Sequence, residues 1–350
     1  MVVPRLGSSS VLLAGGEVLV VGDQACVAAG EPTGSERAEI YDPTAGAWTK
    51  VGSLNKERAD PALVALQDGR GLVLGGTNSQ SQPYSSTKVF SPTDAKWSDG
   101  PLMDRAGATQ AVTLPDGSVL AVGKARAEIL AKGSDTWRRT TALPSAFTPD
   151  GLVLLADGAV LATGETDDEP GIAKFQLLEA GAAKWRGIDD PVVLRPVIVA
   201  LTDGSVLAFG DDEGGSHVVR YDRGTDTWAD VAQMATGRIR SQITLLPDGR
   251  VLVAGGVELT SEAVDGGYSV TEGAPLTSTE IYDPRADSWT AGPDLLEARQ
   301  AGHAMTLSDG SVLTFGGYTA TPKQVPTQDT GEPGPCPDLL ATSERLAALP

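Results

Sequence analysis

Cysteine and histidine are almost missing from this sequence, with two of each in 350 residues. Two histidines far apart, His217 and His303, argue against a multi-histidine zinc centre. Two cysteines, Cys26 and Cys336, are too few for a disulfide scaffold, although one bridge between them is open. Positive charge is also in deficit: 27 Lys and Arg face 46 Asp and Glu, a net charge of −19. That balance offers no basic face for nucleic-acid phosphates and disfavours adhesion to anionic lipid. No apolar run approaches the roughly 20 residues a membrane helix needs. The opening MVVPRLGSSSVLLAGG has no signal-peptide pattern, so a cytoplasmic location is the default expectation, with export open if a leader has been removed. G-x-S-x-G elbows, Walker loops and dinucleotide fingerprints are absent too.

What the sequence does have is repetition. Seven imperfect units occupy approximately 5–54, 55–103, 104–143, 144–190, 191–234, 235–295 and 296–350, and together make a single domain. The sixth is the clearest. Its apolar runs 241–246 and 250–254 flank Asp248-Gly249, which predicts a hairpin with a two-residue turn. Gly255-Gly256 closes the second strand, Glu280–Tyr282 opens a third, Asp283-Pro284 turns the chain, and Trp289 begins a fourth. The remaining hairpin turns fall at Gly15-Gly16, Asp68-Gly69, Asp116-Gly117, Asp157-Gly158, Asp203-Gly204 and Asp309-Gly310. Each of the six tryptophans, Trp48, Trp97, Trp137, Trp185, Trp228 and Trp289, precedes the next turn by 18 to 20 residues. The interval from a turn to its own Trp varies widely, so length variation is confined to the connection between the second and third strands. Variable loops emerging together on a rigid scaffold mark the functional face.

Gly255-Gly256, Gly316-Gly317, Tyr41-Asp42-Pro43, Tyr282-Asp283-Pro284 and a Trp seven places after each Tyr resemble the kelch repeat. The resemblance runs the length of the chain. It implies an all-β fold: a seven-bladed β-propeller of four-stranded antiparallel blades. The last blade is expected to lack a conventional outer strand, because its Trp would fall beyond Pro350. Kelch propellers include both binding modules and enzymes, so the fold leaves function open. The galactose oxidase type of copper radical enzyme shares the propeller. Its pattern needs a Tyr-His neighbour pair, whereas His217 follows Ser216 and His303 follows Gly302, so that activity is not expected.

Three groups of residues could carry chemistry. Arg5, Arg58, Arg238 and Arg299 each stand ten places before a hairpin turn, in repeats one, two, six and seven. Together with Gln110, Gln242 and Tyr268 they are expected to line the mouth beneath the inserts 257–276, 318–340 and 23–36, where guanidinium forks would grip a carboxylate or phosphate. The alternative is a repeat-level role, each Arg pairing with an acid of a neighbouring blade. Glu165, Asp211, Asp212 and His217 replace or follow the second glycine in repeats four and five, and could hold Ca²⁺ or another divalent cation; solvated loop acid is the competing reading. His303, six places before its turn where other repeats have Gln110 and Gln242, is the candidate general acid–base.

The expected function is a propeller that binds an anionic small molecule, peptide or protein on its loop-rich face, with no cofactor required. The alternative is a non-redox isomerase, cyclase or lyase at the same mouth.

Overall fold

The structure, a computed structural model, describes residues 1–5, 7–22, 36–191, 193–212, 215–264, 267–319 and 339–349, without the side chains of 212, 215, 261–264 and 267–270. Every regular element in it is a β-strand. Repeat one forms a four-stranded antiparallel sheet from Ser9–Leu12, Val18–Val21, Ala38–Asp42 and Ala47–Val51, paired in sequence order. Repeats two, three and six do the same. Repeats four and five are fused into one eight-stranded sheet, because Ile172 of the former pairs with Leu194 of the latter. Repeat seven contributes three strands among the described residues: His303–Thr306, Val312–Phe315 and Ser343–Leu346. The whole is an all-β arrangement of successive antiparallel sheets, as a propeller requires. Among the described residues no helix is long and apolar enough to cross a membrane.

The second strand of each repeat is the buried one, and its side chains alternate between two interfaces as strand geometry demands. In Val18–Val21, Leu19 and Val21 pack with Val73 and Phe90 of repeat two, whereas Val18 and Val20 pack with Leu313 and Phe315 of repeat seven. All four are fully buried. Each such side chain contributes roughly 1.5–3 kcal/mol. The outer strands carry the tryptophans, whose rings lie against the repeat's own aromatic seven places earlier: Tyr41–Trp48, Phe90–Trp97, Tyr221–Trp228 and Tyr282–Trp289 have centroids 5.0–5.2 Å apart. Four of the six indole nitrogens reach back one repeat. Trp137, Trp185 and Trp289 donate to the carbonyls of Pro101, Thr141 and Ala232, and Trp48 of repeat one donates to Ser343 Oγ of repeat seven. Tryptophan thus stitches neighbouring sheets together.

First and last repeats meet at several other points. The Met1 ammonium donates to the Ala341 carbonyl at 2.7 Å, and the Gly317 amide to the Arg5 carbonyl.

The hairpin turns differ from the expectation in their geometry. The Gly249 amide donates to the Leu246 carbonyl while the Leu246 amide donates to the Arg250 carbonyl. Gly249 alone of the loop has a positive φ, 90°. This is a three-residue loop closed by a left-handed glycine, not a two-residue turn. Asp248 stabilises it by accepting from the Arg250 amide.

Candidate functional site

The four arginines singled out in the sequence are buried, each engaged within its own repeat. Each is at most 3% exposed. Each donates through its Nη1 to the carbonyl seventeen residues further on: Arg5 to Gly22, Arg58 to Gly75, Arg238 to Gly255 and Arg299 to Gly316. Those carbonyls lie where the second strand ends, so the guanidinium staples the start of the inner strand to it. In three repeats a buried carboxylate two places before the core Tyr or Leu completes the staple: Glu39, Glu280 and Glu344. In repeat two that position is Lys88; Arg58 instead donates to Ser86 Oγ and lies over the Tyr84 ring at 4.7 Å. Burial without a carboxylate pushes the Arg58 guanidinium down to about 10, still charged at neutral pH. The geometry thus favours the repeat-level reading of these arginines, in a form in which the acids belong to the same blade.

His303 also serves a seam. Its Nε2 and Nδ1 lie 3.0 and 3.1 Å from Ser8 Oγ and Ser10 Oγ of repeat one, and its ring stacks on Phe315 at 5.0 Å. Desolvation, with a smaller contribution from nearby Arg5, pushes its pKa down to about 4. The imidazole is neutral at physiological pH, with both nitrogens engaged, which fits a closure residue better than a proton shuttle.

The Asp212 side chain lies outside the described residues, so the candidate metal set is seen only in part. Among the described residues no group of three or more His, Cys, Asp or Glu could hold a metal ion. Glu165 accepts from the Gly171 amide at 2.7 Å, and His217 bonds Asp230 of its own outer strand at 2.9 Å. Their sequence position has a backbone meaning. In repeats two, six and seven the second glycine of the pair, Gly76, Gly256 or Gly317, has φ of 73–89° and turns the chain out of the strand. Glu165 and Asp211 at that position keep the strand running, so Val160–Thr166 and Val206–Asp212 continue into hairpins that close at Thr166–Glu169 and Asp212–Gly215.

In repeat six the insert, expected as a loop, is a long hairpin of Val257–Val264 with Gly267–Pro275. The signal was present: Asp265-Gly266-Gly267 between two alternating segments. Tyr268 lies on this hairpin opposite Ala263, its side chain outside the described residues. Cys26 and Cys336 fall outside them altogether.

These extended hairpins of repeats four, five and six surround a cavity of about 560 Å³. Ile172, Val197, Phe209, Met234, Ile239 and Ile243 give it apolar walls; Arg195, Arg238, Arg240, Asp211 and Glu272 supply its charge. Glu272, on the repeat-six hairpin, grips Arg240 through both carboxylate oxygens at 2.8 and 2.9 Å, and Gln300 Oε1 accepts a third bond from it. This pairing holds the Arg240 guanidinium above its ordinary pKa. Arg195, by contrast, is exposed and makes no hydrogen bond or ion pair among the described residues. Both arginines stand in left-handed backbone, φ 44° and 54°, at the position eight before the hairpin turn. Gly7, Asp60 and Ala301 occupy the same position in other repeats with φ of 48–64°. A bulky residue held there costs on the order of 1–2 kcal/mol, and such strain clusters at functional sites.

Of the predicted neighbours, Arg238 and Asp211 do line this cavity. Gln110 lies elsewhere, donating to the Asp150 carbonyl at 3.0 Å. Gln242 is 2% exposed, and neither atom of its amide finds a partner among the described residues. Sequence reasoning missed Arg195, Arg240 and Asp150. Asp150 sits at a β-bulge of the repeat-four inner strand, and desolvation, reinforced by the charge of Glu165, pushes its carboxyl up to about 6.

No family model matches the chain. Among curated proteins, a galactose oxidase of Gibberella zeae is 29% identical over 177 residues, 45% of this chain and 24% of that protein. The kelch-like protein terF of Aspergillus terreus is 31% identical over 121 residues, 34% of this chain and 24% of its own. Kelch-like protein 36 of Rattus norvegicus is 22% identical over 303 residues, 84% of this chain and 41% of its own. The chain is thus similar to galactose oxidases and to kelch-like proteins. The alignments thus span less than half the length of these kelch relatives. A solved structure described as a fungal alcohol oxidase of the AA5 family in complex with copper superposes with a TM-score of 0.64 at 17% identity, covering 90% of this chain and 71% of that one. That likeness shows the shared fold alone.

Proposed function

We propose that this kelch chain is a seven-bladed ring, closed by repeats one and seven, that binds an anionic ligand in the cavity between the extended hairpins of repeats four to six. The observation that carries the reading is Arg195: an exposed guanidinium with no partner among the described residues, held in strained backbone on the rim of an apolar cavity. Concave, mostly apolar sites with a few convergent polar groups are where small ligands bind. The kelch relatives support a binding role in general terms, and a protein partner presenting an acidic side chain would use the same groups. Screening anionic, neutral and cationic small molecules and peptides by ligand-observed NMR tests it. Anionic hits should vanish in Arg195→Glu while others persist; a set of hits indifferent to that change would end the reading.

A second reading, a non-redox enzyme such as an isomerase, cyclase or lyase, draws on Asp150. A carboxyl with a pKa near 6 on the inner strand is suited to general base chemistry near neutral pH.

A further inference from the structure

The cavity's lining is specific enough to name a ligand class, an inference that rests on the binding role proposed above. Among the described residues only five large apolar side chains are conspicuously exposed, and two of them, Ile172 at 40% and Val197 at 49%, line this cavity. They bracket Arg195: Val197 lies two places along the same strand, and Ile172 pairs with Leu194, the residue before it. Exposed apolar surface beside an unpaired guanidinium is costly to leave in water and favours an apolar body carrying a negative head. The second guanidinium is already taken, since Arg240 is held by both oxygens of Glu272. Arg238 in the same lining is likewise taken, by Glu280, so a second negative charge on the ligand finds no unengaged guanidinium.

We infer that the site takes a single carboxylate on an aliphatic body, the carboxylate bonding Arg195 and the chain lying on Ile172 and Val197. Phosphates and dicarboxylates are disfavoured, because the other two guanidiniums of the lining, Arg238 and Arg240, are already paired and leave their second charge without a partner. The bidentate match between guanidinium and carboxylate supplies the selectivity, and the apolar walls supply most of the burial. Two sources present this chemistry: a free medium-chain acid, and the C-terminus of a peptide ending in an apolar residue.

Octanoate, octanol, octylamine and the dicarboxylate suberate serve as probes, with a tripeptide ending in Leu as free acid and as amide. Methyl chemical shifts of Ile172 and Val197 report occupancy. Octanoate should bind at least tenfold more tightly than octanol or suberate. Arg195→Asn, which tolerates the left-handed backbone, should abolish that preference, and Arg195→Lys should restore part of it; both melt with the native protein. Tighter binding of the free-acid tripeptide than of octanoate assigns the source to peptides, and the reverse assigns it to small acids. Equal binding of octanol and octanoate, or a preference unchanged in Arg195→Asn, overturns the carboxylate class while leaving the cavity a binding site. Methyls that respond to none of the probes overturn the class and the binding role together.

Discussion

Arg238 and Glu280 are joined at 2.8 Å with both side chains almost wholly withdrawn from water, 0% and 7% exposed. Glu280 also accepts from the amides of Ala235 and Thr236, so one carboxylate fixes the approach to the inner strand and the guanidinium that staples it. Removing either partner strands a buried charge. Glu280→Gln is expected to cost about 3–5 kcal/mol in urea unfolding, whereas Arg238→Met combined with Glu280→Leu should cost distinctly less than the two single changes added together. Additive losses would mean the two groups act separately.

Stability should fall in mild acid through His303. Its folded pKa, about 4, lies below the ordinary 6.5, so between those values the unfolded chain binds the additional proton. The contribution is fully present above pH 6.5, declines as pH falls to about 4, and amounts to on the order of 3 kcal/mol. His303→Gln, measured by thermal melting from pH 4 to 8, should flatten that part of the profile. A mutant profile as steep as the native one would place the acid sensitivity elsewhere.

Asp150 acts in the opposite sense. Its folded pKa is raised to about 6, so its carboxyl opposes folding as pH rises from about 4 through 6 and beyond. Asp150→Asn should therefore raise the melting temperature at pH 8 and leave it nearly unchanged at pH 3.5. A gain equal at both values would point to packing, not charge.

Ala301 tests the strained position at a residue outside the cavity lining. Its φ is 51°, its amide donates to the Arg240 carbonyl, and glycine would keep that bond. Ala301→Gly is expected to stabilise by up to about 1 kcal/mol, the relief of left-handed strain exceeding the entropy glycine adds to the unfolded chain. Destabilisation would show that the Cβ packing matters more.

The repeat pattern was readable because it rests on local rules: a turn needing a left-handed glycine, a strand alternating between two interfaces, an indole at fixed distance from each turn. The arginines were found in register and then misplaced. Their position ten before the turn says where the backbone lies, but only strand pairing brings the carbonyl seventeen residues on beneath the guanidinium. Glu165 and Asp211 carry a second meaning that charge alone hides. Their charge suggested a ligand, and their place in the chain also removes a glycine φ that would have ended the strand. Arg195 and Arg240 escaped notice because an arginine in left-handed backbone carries no mark in the sequence.

The staples and the seam differ in how far along the chain they reach. Arg238 and Gly255 are 17 residues apart, but Ser8 and His303 are 295 apart. Closing the longer loop costs about 2.5 kcal/mol more in chain entropy. Individual repeats can therefore organise early through short-range contacts, while the junction of repeats one and seven waits until the rest is in place. The same asymmetry makes that junction the natural point of first opening, so native-state hydrogen exchange would find its lowest protection around Ser8, Ser10 and His303, and not in the hairpins that enclose the cavity.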